Sequence, residues 1–379
     1  MLQAINMLPP ARRRLLTSMV EAYGTAYFAG QKISDKGLLS LPHHRRVALN
    51  DAIALEARFL EEFAPEVVAE AKREDSTRHS IASCMAERYP FLAREIYQGH
   101  FDVLCDIGLR LMGYYGRIRS FQTTNALEDL LWQTDFGDDV PAEWLRTPFR
   151  DVYIEFGEHR RFPVSISDPS SGQHVIEGCY LLSGLSARPS GERGLVRGFD
   201  VIIFGSPVGK VGLLNDTFTH MGLPIEDETM PIAQLVDEVV RRYEERDDFP
   251  NAAIFRPVLT HVAKVLVYLS TADARQVIRR DGSEAAAQLA ALKSPGKRAK
   301  AARRTAALYD RIVVGPEHAP ANFGGSSSGA AVRPHVRRGH IRSQPYGPQN
   351  SLRRPRWIQP MLIGSTSLTG IATPHYMVR

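Results

Sequence analysis

Apolar residues recur at three- and four-residue intervals through the first 135 positions, in Leu15, Met19, Val20 and Tyr23 and again in Ile53, Leu55, Phe59, Leu60 and Phe63. That spacing predicts amphipathic helices. A longer helix is expected over Pro90 to Tyr115, with Phe91, Ile96, Tyr97, Phe101, Leu104 and Cys105 as one buried stripe and Gly113 near its end. A short one is expected over Asn125 to Trp132, capped by Thr123 or Thr124. After the acidic, turn-prone stretch Asp135 to Glu143 the pattern changes. Arg150 to Gly157 (RDVYIEFG), Val175 to Ala187 and Gly198 to Gly205 (GFDVIIFG) are rich in β-branched and aromatic residues and bounded by turn formers. They read as strands with antiparallel neighbours, and Lys210 to Leu214 is a further candidate. Two helices follow, Ile232 to Arg246 and Phe255 to Leu269, the second apolar enough to be buried against the sheet.

The predicted class is therefore α+β, with a helical region over 1–140 and an α+β body over 141–281. Residues 282–330 lose core-forming character and end in a Gly-Gly-Ser-Ser-Ser-Gly run at Gly324 to Gly329, so a flexible basic linker is expected. Within it, Lys297 to Leu308 has the composition of a basic helix and Arg311 to Val314 that of a short strand. Beyond it, Pro334 to Ser343 and Arg356 to Ile363 are strand-like and joined by a turn at Pro345 to Ser351, which predicts a basic C-terminal hairpin (331–379) returning to the body.

Charge sharpens this division. From Lys293 to Arg379 there are fifteen Lys or Arg against two acids, a net +13, whereas the first 292 residues carry a net −8. A mildly acidic body with a strongly basic end suits a polyanionic partner. No apolar run reaches the roughly 18 to 20 residues of a membrane span. Arg12 to Arg14 ahead of Leu15 and Leu16 resemble a secretion signal, but Glu21 cuts the apolar run short, so a cytoplasmic location is expected, without a membrane partner. Cys84, Cys105 and Cys179 have no paired spacing and read as buried thiols.

If Pro334 to Ser343 is extended, alternation puts Arg338, His340 and Arg342 on one face and His335, Arg337 and Ile341 on the other. With Arg333, Arg353, Arg354, Arg356, Tyr346 and Trp357 nearby, guanidinium groups that grip phosphate lie among rings that stack on bases, a combination suited to single-stranded RNA. Trp357, Ile358, Met361 and Leu362 also fit an ordinary core strand. His340 is a candidate for metal-free RNA cleavage, but His335 lies about 16 Å along the strand on the opposite face. His220 or His261 would then have to supply the second group. Gly205 to Val211 (GSPVGKV) is one residue short of a phosphate loop and lacks its Ser or Thr, so it reads as a turn. His43 and His44 sit among arginines and are expected at the surface. Asp151 and Glu155 alone make a weak metal site. No metal and no cofactor are expected.

The segment RPHVRRGHIRSQPYGPQNSLRRPRW (Arg333 to Trp357) and the following IQPMLIG resemble the C-terminal signature of a type V-A anti-CRISPR family. Trp144 to Glu155 (WLRTPFRDVYIE) resembles that family's tryptophan-led strand, and Pro257 to Asp273 its apolar helix. At the position after the signature histidine the family is usually aromatic, where this chain has Ile341. The resemblance implies a protein that engages the nascent N-terminal polypeptide of a CRISPR nuclease and causes loss of its mRNA during translation, so the partners implied are that polypeptide and the mRNA or ribosome. One division of labour has the peptide add as a strand near Val152, Ile154 and Phe156 while the basic hairpin holds RNA. Two alternatives stay open: a metal-independent ribonuclease, and a nonspecific nucleic-acid-binding protein of a mobile element.

Overall fold

The computed structural model describes residues 8–29, 41–48, 51–156, 165–168, 172–207, 217–245, 252–305, 308–318 and 335–363. The helices of the first part are α1 (Pro10–Ala29), α2 (His43–Ala48), α3 (Asp51–Phe63), α4 (Pro65–Lys72), α5 (Arg78–Arg88) and α6 (Phe101–Tyr114). The helix expected over Pro90 to Tyr115 is in fact interrupted. A π-helical turn, Leu92–Ile96, runs into Gln98 and Gly99 with φ of 66° and 73°, and two left-handed residues in succession end a helix. Phe101, on the far side of that break, is 45% exposed and leaves the expected stripe, whereas Leu104 and Cys105 stay buried.

The next elements are β1 (Arg119–Thr123), α7 (Asn125–Trp132), β2 (Thr134–Phe136), β3 (Asp151–Glu155), β4 (Ser165–Asp168), β5 (Gly172–Ala187), β6 (Leu195–Pro207) and β7 (Thr217–Pro224). Thr124 caps α7 by accepting from the Leu127 N–H at 3.1 Å. Then come α8 (Ile232–Glu244), α9 (Ala252–Leu269), β8 (Gln276–Arg279), α10 (Asp281–Ala291), α11 (Pro295–Thr305) and β9 (Arg311–Val314). The main sheet runs β7-β6-β5-β3-β1-β9-β8, with β4 paired to β5. Its pairs are antiparallel except at β1, which is parallel to both β3 and β9. The fold is α+β.

Burial on both faces explains the near-continuous apolar strands. Val152, Ile154, Cys179, Leu181, Val201 and Ile203 pack with α7, α8 and α9. Their alternates, Tyr153, Tyr180, Leu182, Ile202 and Phe204, pack beneath the N-terminal helices. The segment expected as a linker supplies two helices and a strand paired with β1 inside the sheet, while Gly324 to Gly329 lies outside the described residues, as do 210–214.

His43 and His44, expected at the surface, are buried at 9% and 5% exposure. The His43 ring stacks on Phe204 at 3.6 Å and its Nδ1 lies 2.7 Å from the Tyr180 hydroxyl. The reason is Glu177. The pairing of β5 with β6 shifts between Ile176 and Gly178, a bulge that turns two consecutive residues toward α2. Glu177 then accepts from Arg46 Nη2 at 2.9 and 3.0 Å, from the His43 N–H at 2.9 Å, from Ser206 at 2.6 Å and from Tyr153 at 3.2 Å. Residue 178 must be glycine, because a Cβ there would lie 2.5 Å from the Ile154 carbonyl and from the Tyr153 hydroxyl.

Candidate nucleic-acid interface

The C-terminal strands are β10 (His335–Arg337), β11 (Gly339–Tyr346), β12 (Leu352–Ile358) and β13 (Met361–Ile363). β11 and β12 form the expected hairpin, pairing His340 with Ile358, Arg342 with Arg356, Gln344 with Arg354 and Tyr346 with Leu352. The turn uses left-handed backbone at Gly347, Gln349 and Asn350, as its Pro-, Gly- and Asn-rich sequence allows. β10 pairs with β13 as a short second ladder, so the strand expected over Pro334 to Ser343 is broken at Arg338.

The hairpin docks by its odd-numbered face. β11 runs parallel to β2, and Ile341 is fully buried in the core beneath α9. Trp357 packs edge-on against Tyr268 at 5.3 Å and donates from Nε1 to Thr134 Oγ1 at 3.0 Å, so its ring faces the body rather than a base. Gly339 permits this approach, since a Cβ would meet Thr134 Oγ1 and Pro360 at 2.7 Å. The Gly137 N–H donates to the Ile341 carbonyl at 2.7 Å, and Asp139 accepts from the Ser343 N–H at 3.1 Å. Arg338 is engaged as a bidentate latch on Asp135, at 2.6 and 2.8 Å. Beneath it the buried Lys264 donates to the Leu131 carbonyl at 3.1 Å, and burial pushes its pKa down to about 8.

The even-numbered face is left to solvent. Arg342, Arg354 and Arg356 are exposed, His340 is half-buried, and the Arg354 guanidinium lies 5.0 Å over the Tyr346 ring. Arg342 and Arg356 sit directly opposite one another, a like-charge pair that costs stability until an anion joins it. Planar guanidiniums of this kind match phosphate oxygens two at a time. Arg353 and Arg337 are exposed elsewhere on the same segment, on the opposite side of β12 and on β10. The side chain of His335 and all of Arg333 lie outside the described residues.

No histidine pair forms around His340 among the described residues. His261 is 2% exposed, with Nε2 2.8 Å from Glu128 Oε2 and its ring stacked on Trp132. His220 lies on end strand β7, where burial and then Arg78 depress its pKa. The peptide-addition site expected at Val152, Ile154 and Phe156 is corrected. β3 is paired on both sides, by β1 and β5, and all three side chains are core, so strand addition has no free edge there. Among the described residues the sheet ends at β7 and β8. A groove of about 630 Å³ beside α8 offers Asp237, Glu238 and Arg256, but these pair locally: Arg256 with Asp237, and Glu238 with Gln234 at 2.8 Å. Among the described residues no group of three or more His, Cys, Asp or Glu is placed to hold a metal, and no helix is long and apolar enough to cross a membrane.

Sequence reasoning missed the anchors Thr134, Asp135 and Asp139 and the buried centre at Glu177. The available signal was a lone acid inside the apolar run of β5, and a lysine and histidine inside the apolar α9, each of which demands a buried partner.

The model of the AcrVA2-like, anti-CRISPR type V subtype A2 family matches residues 121–365, well over half of the chain. The chain belongs to this family. The matched span begins in β1 and ends just past β13, so the unit shared with the family includes the sheet, α7 to α11 and the docked hairpin. Among solved structures, the crystal structure of AcrVA2 aligns at 15% identity over 85% of this chain and 99% of that chain, with a TM-score of 0.44. No curated protein matches the sequence.

Proposed function

We propose that this family member lowers production of a CRISPR nuclease by recognising its nascent N-terminal polypeptide and bringing about loss of the translated mRNA, with the hairpin holding RNA and the body holding peptide. The observation that carries the RNA half is the solvent face of the hairpin, where Arg342, Arg354 and Arg356 stand beside Tyr346 and no described acid pairs with them. Three forks and one ring are the components of a single-strand grip: charge for the backbone and a π-face for a base. Membership of an anti-CRISPR type V family supports a nuclease as the victim. The burial of His261 against Glu128 and the placement of His220 on β7 leave His340 without a second described histidine, which favours recruitment of other RNases over cleavage by the chain itself.

The test is expression beside the target nuclease gene in two forms, one with its first codons recoded to a different peptide. Transcript loss should follow the peptide, and loss that survives recoding sinks the proposal. Arg342→Ala, Arg354→Ala and Arg356→Ala together should abolish transcript loss while peptide capture persists. Loss of both functions at once would sink the division of labour.

A further inference from the structure

A second cationic surface stands apart from the hairpin, on α11. Its eleven residues, PGKRAKAARRT, contain no acid. The helix is nonetheless well formed: Pro295 opens it, and Ser294 accepts from the Lys297 N–H at 3.4 Å and, through its carbonyl, from the Arg298 N–H at 2.9 Å. Ala301 and Thr305, four apart, are half-buried, while Lys297, Arg298, Lys300 and Arg304 are exposed. Lys297, Lys300 and Arg304 follow the i, i+3, i+7 spacing of one helix face, a stripe about 10 Å long.

Exposed cations at two other helices are balanced by a local acid. On α8 Arg242 lies 3.8 Å from Glu238, and beside α4 Arg73 lies 3.0 Å from Glu70. None of the four exposed cations of α11 has an ion pair among the described residues; Arg298 donates to the Leu292 carbonyl at 2.7 Å instead. Acids elsewhere in this part of the chain are engaged by other partners: Asp281 by Arg311 at 2.9 Å, Asp310 by Ser283 at 2.8 Å and Glu317 by Arg275 at 2.8 Å, while the exposed Glu284 of α10 makes no ion pair with α11 among the described residues. Like charges three and four apart oppose the helix that carries them, so the stripe gains stability only when a polyanion lies along it.

We propose that the Lys297–Lys300–Arg304 face of α11 is a second RNA-backbone-binding surface, acting beside the hairpin. The choice of RNA over other polyanions rests on the function proposed above; the charge argument does not. Lysines act as point charges and lack the bidentate fork, so this surface adds affinity without sequence preference, whereas the hairpin adds orientation and stacking.

Binding of the full chain to a fluorescent single-stranded RNA and to a duplex DNA of equal length, titrated with KCl, tests it. Lys297→Ala, Arg298→Ala, Lys300→Ala and Arg304→Ala keep helix propensity high. Together they should flatten the slope of log Kd against log salt by about 0.7 for each phosphate that is no longer neutralised. The hairpin triple variant should flatten it further and additively, and a variant with Lys297→Arg and Lys300→Arg should keep the wild-type slope. An unchanged slope in the α11 alanine variant overturns the proposal, and so does equal or tighter binding to duplex DNA. If RNA binding falls as expected but transcript loss in cells is untouched by either variant, the proposed function fails and the α11 surface stands.

Discussion

At the scale of single residues, the most demanding group is Glu177. At least five hydrogen bonds converge on one carboxylate, and its cationic partner Arg46 is 1% exposed. Removing the acid strands a buried guanidinium, so Glu177→Ala should cost about 3–5 kcal/mol. Ser206→Ala, which deletes one donor, should cost only about 1 kcal/mol. Urea midpoints at fixed m-value measure both, and equal effects would show that the ion pair is not what matters. His43 and His44 give the same site a pH signature. Burial holds both pKa values well below the ordinary value, with Arg46 adding to the effect at His43 and Arg45 at His44. A histidine whose folded pKa is depressed contributes stability that is fully present above the unfolded value of about 6.5 and is lost as pH falls below it. Stability should thus be level from pH 8 to 7. It should then drop by up to about 1.4 kcal/mol per pH unit for each histidine below pH 6. A flat urea midpoint between pH 7.5 and 5.5 would contradict this assignment. None of this was visible along the chain, because the run HHRR reads as a solvated face until a bulged acid 131 residues away comes to meet it.

At the scale of elements, legibility follows the range of the interactions. The cap at Thr124, α8 and α9, the three long strands and the hairpin turn depend on neighbours within a few residues, and period and turn chemistry are enough to place them. The even–odd division of β11 was legible too, since Ile341 is the one apolar residue among cations and does become the buried side. What alternation could not supply is the partner. β11 lies against β2, about 200 residues earlier, and β3 became a central strand through β1 and β9. The docked hairpin depends on Ile341, so Ile341→Ala should cost about 2–5 kcal/mol. Gly339→Val should displace the hairpin, because its Cβ has no room beside Thr134 and Pro360. Limited proteolysis within 347–351 reads out the release, and equal protection of wild type and Gly339→Val would refute the docking.

At the scale of the whole molecule, the charge asymmetry of the sequence takes a definite form. The described part of the net +13 end is built into the fold at two places, α11 to β9 along one end of the main sheet and the hairpin over β2. In both places arginines divide between those that hold the structure and those that are free to meet a ligand. Arg311 is tied to Asp281 and Arg338 to Asp135, whereas Arg342, Arg354, Arg356 and Arg304 point outward without an ion pair among the described residues. This division predicts unequal consequences for chemically identical changes. Arg338→Ala removes an ion pair whose side chains are 60% and 57% exposed, so it should cost no more than about 1 kcal/mol and leave the salt slope of RNA binding in place. Arg342→Ala should leave stability unchanged or slightly raised, since it relieves the repulsion across from Arg356, while lowering the slope by about 0.7. Measured side by side in one protein, a larger binding defect in Arg338→Ala than in Arg342→Ala would mean that the outward face of the hairpin is not the RNA-binding face.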